Sequence, residues 1–80
     1  MNSQTKRLKL LFESNPNVEI GLVELHRVGS GSPYGFCSSL SRRISDLRET
    51  GLNIQKTTDV RVDGQRRTRY TNVVDVAQNN

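Results

Sequence analysis

The chain has 80 residues, twelve Lys and Arg against eight Asp and Glu, and a formal net charge of +4. That length allows one domain with a small core, in which each buried Leu, Ile, Val and Phe matters. A single cysteine excludes an internal disulfide and a multi-cysteine zinc site, and a single histidine adds only a partial metal site.

The N-terminus is polar, and no apolar run approaches the ~18 residues a membrane span requires. We therefore expect a chain of the cytoplasm or of a nucleoid-associated setting. We expect no membrane partner, cofactor, bound metal or catalytic residue. No paired carboxylates, phosphate loop or nucleophile–base pair is present. Gly29-Ser30-Gly31 follows no strand and lacks the spacing of a nucleotide fingerprint.

Residues 1–3 are expected to fray. From Ser3 to Phe12 or Glu13 the pattern is helical, with Leu8, Leu11 and Phe12 on one face and Leu10 at its edge. Ser3 or Thr5 is the expected cap. Lys6, Arg7 and Lys9 point outward. Ser14-Asn15-Pro16-Asn17 stops the helix, because a residue before proline leaves the α region and asparagine favours turns.

Val18-Glu19-Ile20 alternates like a short strand, and Gly21 allows a turn. Leu22 to Val28 forms a second helix with Leu22, Leu25 and Val28 as its buried stripe. Gly29 to Pro33 has loop composition, and Ser32-Pro33 resembles a helix start. The third helix is thus expected near Pro33 or Tyr34, with Phe36, Cys37, Leu40, Ile44 and Leu47 inward. Ser38, Arg42, Ser45 and Glu49 then fall on its outward face. Gly51 sits where a helix end requires positive φ.

Leu52 to Val62 forms a strand, Asp63-Gly64 a two-residue hairpin turn, and Gln65 to Val74 the return strand. A two-residue turn places Val62 opposite Gln65, Val60 opposite Arg67 and Ile54 opposite Val73. The domain core is expected over about 4–74, with residues 75–80 a disordered tail. The class is α+β: three helices and a small antiparallel sheet.

The run Ser41-Arg42-Arg43-Ile44-Ser45-Asp46-Leu47-Arg48-Glu49-Thr50-Gly51-Leu52-Asn53-Ile54, followed by a basic hairpin ending at Tyr70, resembles the small winged helix-turn-helix domains of bacteria and their phages. The shared pattern is Arg-Ile-x-x-Leu-Arg-x-x-Gly-x-x-Ile, and the resemblance covers about residues 5 to 73. The chain departs from it in a long Gly/Ser loop before the third helix and in Asn72, where leucine is more usual. The resemblance implies duplex DNA binding, in transcriptional or phage-type regulation or as a recombination accessory factor.

The residues support that expectation independently. Four serines in eight residues, Ser38, Ser39, Ser41 and Ser45, cost helix propensity. Serine lets a helix approach a major groove closely, and Arg42 can reach guanine or phosphate. Arg43 divides evenly between phosphate contact and pairing with Asp46 or Glu49. Arg61, Arg66, Arg67 and Arg69 gather around the hairpin, where arginine suits phosphate or minor-groove contact better than lysine does. Tyr70 is expected to pack beneath the hairpin.

The competing expectation is a winged-helix docking module whose arginines meet an acidic protein; RNA is a third. One recognition helix covers a short site, which leaves homodimerisation open.

Overall fold

The structure, a computed structural model, describes residues 2–60 and 63–75. Among these the elements are α1 (Ser3–Ser14), β1 (Ile20–Gly21), α2 (Leu22–Ser30), α3 (Leu40–Glu49), β2 (Ile54–Val60) and β3 (Arg66–Asn72). The strands form one antiparallel sheet in the order β1-β3-β2. This is the winged helix-turn-helix layout, with β2–β3 as the wing. The core joins Leu8 and Phe12 of α1, Leu25 of α2, Leu40, Ile44 and Leu47 of α3, Ile20, Ile54 and Tyr70 of the sheet, and Cys37.

α1 starts earlier than its sequence suggests. Ser3 is already helical, and Asn2 is the N-cap, its side chain accepting the Gln4 N–H at 2.7 Å. Thr5 is fully buried instead of capping, and Leu10 is 65% exposed. The expected stop holds: the Asn15 N–H donates to the Phe12 carbonyl, and Asn17 takes a left-handed φ of 62°. Asn17 then clamps the far end of the sheet. Its backbone N–H donates to the Asn72 carbonyl, while its side chain donates to the Val74 carbonyl and accepts the Val74 N–H.

β1 is shorter than expected and excludes Val18, which is exposed. Ile20 pairs with Tyr70, and Tyr70 is buried in the core as expected. Gly21 makes no left-handed turn; it is the extended N-cap of α2. That helix runs on through Gly29 and Ser30, and Gly31 ends it at φ 77°. Its buried residues are Leu25 and Gly29, whereas Leu22 is exposed. A Cβ at Gly29 would lie 2.9 Å from the Cys37 sulfur, so glycine there makes room for the buried thiol.

The largest correction concerns the start of α3, at Leu40 instead of Pro33 or Tyr34. Ser32 acts as a local turn former: its hydroxyl accepts the Tyr34 N–H and its carbonyl accepts the Gly35 N–H. The Cys37 N–H then donates to His26 Nδ1 at 3.1 Å, which removes it from any helical ladder. Phe36 is consequently not a core residue. It is 74% exposed and stacks on the His26 ring at 4.3 Å.

The end of α3 follows the sequence closely. Gly51 has φ 104°. The Leu52 N–H reaches the Leu47 carbonyl and the Gly51 N–H the Arg48 carbonyl, the paired bonds of a Schellman ending. Leu52 packs against the core, as that motif's apolar contact requires. The Arg48 Nε–H donates to the Ile54 carbonyl at 2.9 Å, tying the helix end to the wing.

The wing register differs by one residue from the expected one. Ile54 pairs with Asn72 and Val60 with Arg66. Five residues, 61–65, separate this last described pair, where the expected register leaves an even number. Gly64 supplies a positive φ of 85°. The shift puts Asn72, not Val73, opposite Ile54, where it is buried and donates to the Phe12 carbonyl at 3.2 Å. The expectations for Arg61, Val62 and residues 76–80 lie outside the described residues.

Candidate nucleic-acid interface

The loop before α3, the first two turns of α3 and the wing carry the sequence-derived candidates. Ser38 and Ser39 do not lie on the helix as expected; they precede it. Ser39 occupies the N-cap position with a left-handed φ of 53°, and its side chain makes no cap hydrogen bond. Both serines are exposed, as are Ser41 and Ser45 on the helix itself. Among the described residues, the hydroxyls of Ser39, Ser41 and Ser45 have no intramolecular hydrogen bond, so each is available to a ligand.

Arg42 and Arg43 separate clearly. The Arg42 side chain is 74% exposed and only loosely paired, 3.7 Å from Asp46. The Arg43 side chain is 18% exposed, lies 3.8 Å from the same carboxylate, and buries its Nε without a partner. Of its two expected roles, the structure supplies the pairing. Cys37 lies behind this helix start. Burial pushes its thiol above the ordinary range, against the pull of the Arg43 and Arg7 charges.

The wing divides by face, because strand residues alternate. Tyr70 and Asn72 are buried, so Thr68 and, across the ladder, Lys56 and Thr58 share their inner face. Arg67, Arg69 and Asp59 lie on the outer face. There Arg69 donates to Glu19 at 2.8 Å and to Asp59. Its side chain is only 22% exposed. Arg69 is therefore a brace between the segment before β1 and both wing strands, not a free cation. Arg66 and Arg67 are exposed and form no ion pair among the described residues. Arg61, the fourth wing candidate, lies outside those residues.

Comparison with protein-family models, curated proteins and solved structures finds no match.

The reading from sequence missed the cleft that joins these parts. It has a volume of about 370 Å³ and lies between the α3 start and the inner face of the wing. Ser39 and Ser41 stand on one side, Lys56, Thr68 and Tyr70 on the other, with His26 and Phe36 at one end. Lys56 was legible, since it falls two residues after Ile54 on the same face of a strand. His26 and Phe36 were not, because their stack depends on the loop conformation. Among the described residues no group of three or more His, Cys, Asp and Glu side chains is placed to hold a metal ion. No helix there is long and apolar enough to cross a membrane.

Proposed function

We propose that this domain binds double-stranded DNA in a sequence-dependent manner, as a regulator of transcription or of phage-type recombination. The observation that carries the reading is a set of exposed donors, free among the described residues except for the loose Arg42–Asp46 pair. It runs from Ser39, Ser41, Arg42 and Ser45 at the exposed start of α3 to Arg66 and Arg67 on the wing. A helix of this width enters a major groove, where Arg42 can donate to guanine and the serine hydroxyls to base edges. The wing arginines would grip the neighbouring backbone, which fixes register without reading sequence. On α1, by contrast, Lys9 stands 4.0 Å from Glu13, and Arg7, expected to point outward, is half-buried and donates its Nε–H to the Gly29 carbonyl.

The test is fluorescence anisotropy on a duplex recovered by binding-site selection, measured across a salt series. Arg42→Ala should weaken binding and relax sequence preference. Arg67→Ala should weaken all duplexes alike and lower the salt slope by about one. If neither substitution changes binding to any duplex, the DNA reading is wrong. The exposed Val23 and Tyr34, at 82% and 98%, favour protein docking as the second reading. Silence with DNA together with a direct, salt-sensitive complex with an acidic protein would establish it.

A further inference from the structure

We propose that the cleft between the α3 start and the inner face of the wing holds one sugar–phosphate strand of the duplex, with Lys56 as its phosphate contact. The proposal rests on the DNA reading above and adds a binding element that lies on neither the outward helix face nor the hairpin tip.

Two depressions carry it. The first is the cleft already described, and the second, of about 280 Å³, is lined by Gly21, Leu22, Val23, Arg66, Arg67 and Thr68. Both are bordered by Leu22 and Thr68, so they adjoin and make one track along the wing. Among the described residues, no carboxylate lines either depression. By contrast, depressions elsewhere on the domain carry Glu19 and Glu24, or Glu13. Among the described residues the track therefore has a single sign of charge, supplied by Lys56 at one end and by inner-face Arg66 at the other, with Arg67 bordering it from the outer face.

The rest of its lining suits the alternation of a nucleic-acid backbone. Phosphates need cations and hydroxyl donors, and Lys56 has no ion pair among the described residues, while Ser39 and Ser41 have free hydroxyls. Sugars need apolar contact, and Leu22, Phe36 and Tyr70 provide it. Phe36 is held for that contact before any ligand arrives. Its ring stacks on His26 with an interplanar angle of 13°, and His26 is fixed in turn by the Cys37 N–H. A strand lying here would run between the α3 start, directed at base edges, and the wing arginines. Outer-face Arg69 is excluded from it.

The experiment is the salt dependence of anisotropy for wild type, Lys56→Gln, Arg67→Gln and Arg69→Gln, each on a fluorescent mixed-sequence DNA duplex. Lys56 is exposed and has no ion pair among the described residues, so Lys56→Gln should leave the thermal midpoint unchanged. Its slope of log affinity against log salt should fall by about 0.9, matching Arg67→Gln. An unchanged slope in Lys56→Gln beside a lowered slope in Arg67→Gln overturns the track and leaves the DNA reading standing. No salt-dependent duplex binding by the wild type overturns the DNA reading itself. Single-stranded DNA and duplex RNA are run in parallel, and tighter binding of either overturns the assignment of a DNA duplex strand to the cleft.

Discussion

Replacing Arg69 with glutamine separates a structural arginine from its binding neighbours. The guanidinium donates to Glu19 and Asp59 from a side chain 22% exposed, whereas the two carboxylates are 50% and 55% exposed. Once released, both acids rehydrate in place, so the loss stays far below that of a stranded buried charge. Two partly exposed pairs contribute roughly 0.2–1 kcal/mol each. The buried Arg69 Nε has no partner, and removing that donor offsets part of the loss. The net expectation is about 1 kcal/mol. For a domain of this size that lowers the thermal midpoint by roughly 4–8 °C, read by circular dichroism. The deficit should shrink at high salt, because the pairs it removes are themselves screened. In DNA binding, Arg69→Gln should lower affinity modestly through a looser wing while leaving the salt slope intact. An unchanged midpoint with a slope reduced by about 0.9 would refute the brace and make Arg69 a phosphate contact.

Three further outcomes test the frame around the interface. Gly51→Ala should destabilise by about 1–2 kcal/mol through backbone strain alone. Its φ is 104° and nothing lies within 4 Å of an added Cβ, so Gly51→Asn should recover part of the loss in chemical denaturation. Cys37 should resist thiol reagents in the native state and react once the chain is unfolded, as followed by absorbance. Burial raises its thiol above the usual value of 9.0, so the unfolded chain ionises first and stability falls as pH rises above about 9. Cys37→Ser, measured over the same range, should lose that alkaline decline. Asn72→Leu should cost less than about 1 kcal/mol, because the Phe12 carbonyl keeps the Asn15 N–H at 3.3 Å. Asn72→Asp turns a buried donor into an acceptor facing that carbonyl and should cost several times more in the same denaturation assay.

The parts of the fold legible in the sequence are those decided by local chemistry. The α1 stop at Asn15-Pro16, the Leu40/Ile44/Leu47 stripe and the glycine ending of α3 each depend on a few adjacent residues. The expectations that failed depend on contacts distant in sequence. Ser32-Pro33 carries a helix-start signal, but His26 takes the Cys37 N–H from eleven residues away and Gly29 opens the space that Cys37 fills. Together they hold the chain out of a helix until Leu40. The wing register failed for a related reason. Asp63-Gly64 favours a two-residue turn, yet the buried end of the hairpin fixes Asn72 opposite Ile54, with its side chain bonded to α1. One residue of slip follows.

The same division governs the candidate site. A count of arginines treats Arg61, Arg66, Arg67 and Arg69 alike, whereas strand alternation and the acids across the ladder make them different. Asp59 faces Arg67 in register but pairs with Arg69 on the diagonal, which leaves Arg67 without an ion pair among the described residues. Glu19, fifty residues from Arg69 in sequence, completes the brace. On α3 the spacing of Arg42 and Arg43 around Asp46 already distinguishes an outward from a flanking side chain, and the structure sharpens the difference. Ser38 and Ser39 gain from failing to be helical. Both precede the helix, and Ser39, in a left-handed conformation, stands at the rim of the cleft instead of along the outward face of α3. A proposed reading surface built from one helix thereby becomes one built from a helix start, a loop and a wing. The Arg48 bond to Ile54 and the Leu52 contact with the core join α3 to that wing at a fixed junction, so loosening the junction should alter both halves of the surface together.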